Sequence, residues 1–157
     1  MDLCDPDEPE LNFDALLREN WGEWPHEPEV VSEYTVPREC LTYRPHKEVF
    51  LALVPTSEGW QTPLLLGFGD FNACPPSHVH AALARMWLRE YGAEIVSMRH
   101  DTLEFRVARP PSTREEALAL AELQFEYCDD IVLQGIGYIQ SLAASLLASK
   151  IWYFWWD

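Results

Sequence analysis

Apolar residues recur at helical spacing in four stretches of the chain and alternate with polar ones in a fifth. Phe13, Leu16 and Leu17 predict a short helix over 13–20, with Asn12 placed to cap it. Val79, Leu83, Met86 and Trp87 predict a longer helix with Ser77 as its N-cap and its stop at Gly92, with Arg85 and Arg89 off its apolar stripe. Thr113 and Glu116 have the spacing of a capping box, which predicts a helix over 114–127 with Ala117, Leu118, Ala121 and Phe125 inward. Gly135 and Gly137 punctuate the chain. Ile139, Leu142, Ala143, Leu146 and Leu147 then define another helix. The alternating stretch is 102–109, where Leu103, Phe105 and Val107 share one face of a strand. Residues 93–98 form its predicted neighbour across a His100-Asp101 turn.

Continuous apolar runs give a second set of expectations. Residues 30–36, 49–54 and 63–68 read as strands, the last two covered on both faces. The closing Ile151-Trp152-Tyr153-Phe154-Trp155-Trp156-Asp157 is too short to span a bilayer and too aromatic for a loop, so a terminal strand is predicted. From residue 63 the order is then strand, helix, strand, strand, helix, strand. This is a ferredoxin-like βαββαβ arrangement, an antiparallel sheet of four strands with two main helices on one face and 102–109 in a central position. The fold class expected is α+β. The 157 residues suffice for a single domain, 1–157, divided into an N-terminal arm, 1–35, and a core, 63–157.

Charge sharpens that division. The chain has 26 acids against 11 Lys and Arg, a net charge of −15. Eleven of the acids and only one base, Arg18, fall in residues 1–35. Such a chain repels phosphate backbones and anionic headgroups, so neither nucleic acid nor membrane is an expected partner. The arm is either a solvated, solubilising segment or a docking surface for a basic protein. Cys4, Cys40, Cys74 and Cys128 form no C-x-x-C pair, and the opening residues lack the charged and apolar regions of a signal peptide. A cytosolic protein with reduced thiols is expected. Seven Trp make the chain tryptophan-rich, which points to an aromatic core or interface.

Candidate chemistry is sparse. Cys74, His78 and His80, with Asp70 nearby, have the residue types of a metal site, but His78 and His80 diverge at i and i+2 of a helical turn. Cys74 lies one turn from His78 at a helix start and is the better placed nucleophile; Cys128, at a helix end before two aspartates, is the worse. Glu94, Glu104, Asp130 and Asp157 are the carboxylates available for an acid–base pair. Gln124 stands beside the apolar stripe of its helix, where its amide must be satisfied either as a structural hydrogen-bond hub or by a ligand. Gly67-x-Gly69 lacks the third glycine of a dinucleotide cradle. Trp152, Trp155 and Trp156 are expected to pack in the core or at a protein interface.

Several motifs also occur in a recognisable order. These are Trp87-Leu88-Arg89-Glu90-Tyr91-Gly92-Ala93-Glu94, Asp101-Thr102-Leu103-Glu104, Arg109-Pro110-Pro111, residues 117–121, Asp130-Ile131-Val132, Gln134-Gly135 and the WYFWWD ending. Through them the second half of the chain resembles the bacterial domain-of-unknown-function 4253 family. It departs from that pattern at Asp129, where proline is expected. The resemblance implies a small bacterial cytosolic domain of mixed α and β structure with no established activity.

Two functional readings follow. The first is a non-enzymatic, acidic protein-binding module, of an inhibitor or immunity type, for a basic partner. The second is a small-ligand-binding protein or enzyme with a cleft near Cys74, His78 and His80 or near Gln124 and Asp130. Binding residues are expected among Gln124, Asp130, Gln134, Trp152, Trp155 and Trp156. No catalytic residue, metal ligand or cofactor is expected.

Overall fold

A computed structural model describes residues 12–35, 44, 45, 48 and 50–157. Most of the acidic opening, Cys4, Cys40 and parts of the predicted strands 30–36 and 49–54 lie outside these residues. The elements run α1 (Phe13–Glu19), a 3-10 turn (Gly59–Gln61), α2 (Thr62–Leu66), α3 (Ser77–Tyr91), β1 (Ala93–Met98), β2 (Thr102–Val107), α4 (Arg114–Tyr127), a π-helical turn (Ile131–Ile136), α5 (Ile139–Ala148) and β3 (Ile151–Trp155).

The helices start and stop where their caps dictate. Asn12 accepts the Ala15 N–H at 3.2 Å, and Thr113 Oγ1 accepts the Glu116 N–H at 3.2 Å. The Glu116 carboxylate returns to the Ser112 N–H at 2.8 Å, one residue earlier than a standard capping box would place it. Gly92 ends α3 in the left-handed conformation, φ 61°. Pro76, not Ser77, occupies the cap position of α3. The buried stripe of that helix is His80, Ala84, Trp87 and Tyr91, with Ala81 beside it. Leu83 and Met86 from the predicted stripe pack only at its margin.

The sheet is antiparallel, in the order β1-β2-β3, with β2 central. Among the described residues it has three strands, and the element order corrects the ferredoxin-like βαββαβ expectation. The stretch 63–68, read as its first strand, is helical instead: residues 63–66 belong to α2 and Gly67 and Phe68 follow it. Pro63 sits in the first turn of that helix, where a missing N–H costs nothing, and Gly67 closes it at φ 65°. A short apolar run has no period long enough to separate strand from helix, and here the flanking Pro and Gly decide. The predicted strands 30–36 and 49–54 are likewise absent among the described residues. Phe50, Leu51 and Leu53, expected to be covered, are 86%, 92% and 93% exposed.

The inner face of the sheet carries the core. Leu103, Phe105 and Val107 of β2, with Trp152 and Phe154 of β3, are buried against α3 and α4. Trp87 stands at the centre, its ring 5.4–5.6 Å from those of Phe105, Tyr127, Trp152 and Phe154. Three of these pairs are edge-to-face, a geometry the ring quadrupoles favour. The acidic arm is not wholly separate from this core. Phe13 lies 5.8 Å from Phe125, and the Ile139 and Gln140 N–H groups donate to the carbonyls of Asn20 and Trp21. Arg114 covers the Trp24 ring at 4.2 Å. On the outer face Glu104 is only 1% exposed, because residues 31–35 cross over it and the Thr35 N–H donates to its carboxylate at 2.8 Å. Arg106 pairs instead with Glu94.

Candidate functional site

Two places gather polar side chains inside this frame. The first surrounds His80, which α3 turns fully inward. Its Nδ1 lies 2.5 Å from Tyr127 Oη and its Nε2 3.5 Å from Cys74 Sγ, with Phe68 and Trp156 closing the ring. The chain folds back tightly here. Gly69 has φ 97°, and a side chain there would strike the Pro75 carbonyl and the His80 ring. Burial pushes the Cys74 thiol up to about 12 and His80 down to about 4, so both are neutral at ordinary pH. A thiol held neutral and sealed from solvent is a poor nucleophile and a poor metal ligand. His78, the expected third member, is exposed on the other side of the turn. Among the described residues no group of three His, Cys, Asp or Glu side chains is placed to hold a metal ion. Cys128 is also pushed up to about 12, chiefly by burial, and donates to the Trp155 carbonyl at 3.0 Å.

The second place is a cleft of about 310 Å³ between α4, the π-helical turn, α5 and β3. That size is at the lower end for small-molecule sites, roughly 300–1,000 Å³. Gln124 reaches it from α4, Ile131 and Gly135 from the turn, Leu142, Ser145 and Leu146 from α5, and Ile151, Trp152, Tyr153 and Trp155 from β3. Glu29 and Val31 of the arm close the outer side. Gln124 is 1% exposed, and its amide nitrogen has no hydrogen-bond partner among the described residues. Such a group costs about 1–3 kcal/mol when left unsatisfied. The indole nitrogen of Trp152 is likewise buried without a partner. Ser145 and Ser149 lie 3.3 Å apart at their hydroxyls, and the Val31 N–H donates to Ser149 at 3.0 Å.

The expected binding residues divide accordingly. Gln124, Trp152 and Trp155 meet in the cleft. Asp130 and Gln134 do not line it. Asp130 accepts from the Gln134 amide at 2.6 Å and from the Asp157 N–H at 3.0 Å, so it anchors the end of the chain to the π-helical turn. Trp156 is buried against Phe68, His80 and Tyr127. The sequence reading overlooked Ser145 and Ser149. Their signal was present as two hydroxyl residues one turn apart at an apolar helix end.

Residues 50–157 match the family model described as Domain of unknown function (DUF4253). The chain belongs to the DUF4253 family. The match starts at residue 50, well before the motifs that carried the resemblance, so α2 and the loop preceding α3 are part of the DUF4253 domain. All of the cleft except Glu29 and Val31 lies within it. No curated protein and no solved structure matches the chain. No helix among the described residues is long and apolar enough to cross a membrane.

Proposed function

We propose that this DUF4253 protein is a binding domain, and that the cleft beside Gln124 receives the bound group. The observation that carries the reading is Gln124, which lines a cavity walled by Ile131, Leu142 and Leu146 while its buried amide nitrogen has no hydrogen-bond partner among the described residues. A buried donor of this kind calls for an acceptor, which a bound group would supply. The lining supplies the Gln124 amide, the indoles of Trp152 and Trp155, the hydroxyls of Ser145, Ser149 and Tyr153 and the Glu29 carboxylate, but no His or Cys among the described residues. These groups recognise a ligand; they do not form the nucleophile–base pair that covalent catalysis uses. N-methylacetamide, a small acceptor with an apolar body, provides the test. Titrated into ¹⁵N-labelled protein, it should shift the Gln124 side-chain amide and the Trp152 indole together and saturably. The Trp152 shift should disappear in Gln124→Leu. An unchanged Trp152 response in that variant would refute the site.

A second reading, an acidic module of inhibitor or immunity type that docks a basic protein, is supported by the eleven acids among residues 1–35. Charge concentrated in one segment steers oppositely charged partners and does so less as salt rises. Neutralising Asp2, Asp5, Asp7, Glu8 and Glu10 should slow association with an oligo-arginine peptide and flatten its salt dependence. Neutralising five acids after residue 100 should do so much less. Equal effects from the two sets would count against a dedicated docking segment.

A further inference from the structure

The cleft runs along the free edge of β3. The Val107 N–H donates to the Lys150 carbonyl at 2.8 Å, and the Trp156 N–H donates to the Asp101 carbonyl at 3.1 Å. In an antiparallel pair, alternate residues direct both backbone groups at the partner strand, and the residues between direct theirs away. Residues 150, 152, 154 and 156 therefore face β2, while Ile151, Tyr153 and Trp155 turn their N–H and C=O groups outward. The Trp155 carbonyl bears this out, since its hydrogen bond comes from Cys128, off the sheet. No described strand pairs with β3 on this side, and Ile151 and Tyr153 both line the cleft.

We infer that the cleft binds an extended, basic peptide segment of a partner protein as an added strand on β3. The inference rests on the binding reading above and names its ligand. An added strand would exchange backbone hydrogen bonds with Ile151 and Tyr153, and side chains on one of its faces would enter the apolar wall of Leu142 and Leu146. Charge selects the partner: Glu29 stands at the rim, no Lys or Arg lines the cleft, and the whole chain carries −15. Free sheet edges are normally blunted by charge, proline or cover. The edge residues here are the buried Ile151 and the half-buried Tyr153 and Trp155, none of them charged and none of them proline.

The probe is a mixture of end-blocked hexapeptides in which Lys alternates with Val, Leu or Ile, titrated into the full-length ¹⁵N-labelled protein. Saturable shifts should centre on the backbone amides of Ile151 and Tyr153 and on the Gln124 side chain. The same peptides with alternate backbone nitrogens methylated keep their side chains but cannot pair with the edge, and affinity should fall at least tenfold. Glu29→Lys should weaken the parent peptides about threefold and reduce their salt dependence. Methylated peptides that bind as well as their parents, or shifts that avoid β3, would overturn strand addition. If N-methylacetamide enters the cleft and no peptide does, strand addition is wrong and the binding reading stands. If neither binds, both fall.

Discussion

His80 and Gln124 are both polar, both on the inward face of a long helix and both sealed from solvent, yet they occupy opposite circumstances. His80 has Tyr127 Oη on one ring nitrogen and Cys74 Sγ beside the other, with aromatic rings packed around it. Gln124 lines a cavity, and its amide nitrogen has no partner among the described residues. Burial with partners holds elements together: His80 ties α3 to the end of α4 and to the loop before α3. Burial without a partner beside open space leaves an interaction for another molecule to complete. Both are polar side chains on inward helix faces, and only their neighbours in space separate them.

The largest effect should come from the scaffold both residues share. Trp87→Ala removes the ring that joins β2, β3 and α4, and should cost about 3–5 kcal/mol in chemical denaturation. A loss below 1 kcal/mol would mean that the aromatic cluster is not the centre of the fold. Acid should come next. The folded protein holds His80 at about 4, below the ordinary value of 6.5, so the neutral ring favours the folded state above pH 6.5. Stability should fall as pH drops from there through 4, by about 3 kcal/mol in all, as the unfolded chain takes up a proton that the folded one resists. In His80→Gln the stability curve over that pH range should flatten by about this amount.

Smaller changes test the contrast directly. Tyr127→Phe strips His80 Nδ1 of its partner and should destabilise by about 1–3 kcal/mol. Gln124→Leu should be neutral or slightly stabilising, because it replaces an unsatisfied buried amide with an apolar group of similar size. Melting curves of the two variants side by side give the comparison. If Gln124→Leu costs as much as Tyr127→Phe, then Gln124 is a structural hub like His80 and the cleft loses its principal argument.

Local rules made much of this molecule legible from its residues alone. The spacing of Ala117, Ala121 and Phe125 behind a Thr113 cap, the alternation of Leu103, Phe105 and Val107, and the left-handed stop at Gly92 are each decided within a turn or two of chain. They appear in the structure nearly as read. Residues 63–68 were misread because an apolar run of that length carries no period, so packing and the flanking Pro63 and Gly67 settle it as a helix. Residues 31–35 were read as part of a strand and instead cross the outer face to bury Glu104, a long-range contact that no spacing reveals. The cleft belongs to the same class. Gln124 stood out as a polar residue beside an apolar stripe, but whether its amide met a partner depended on Ser145, Ile151 and Trp152 from elements far along the chain. A residue's periodicity is a property of its neighbours in sequence, whereas the satisfaction of a buried hydrogen bond is a property of its neighbours in space, and only the packed tertiary structure decides the latter.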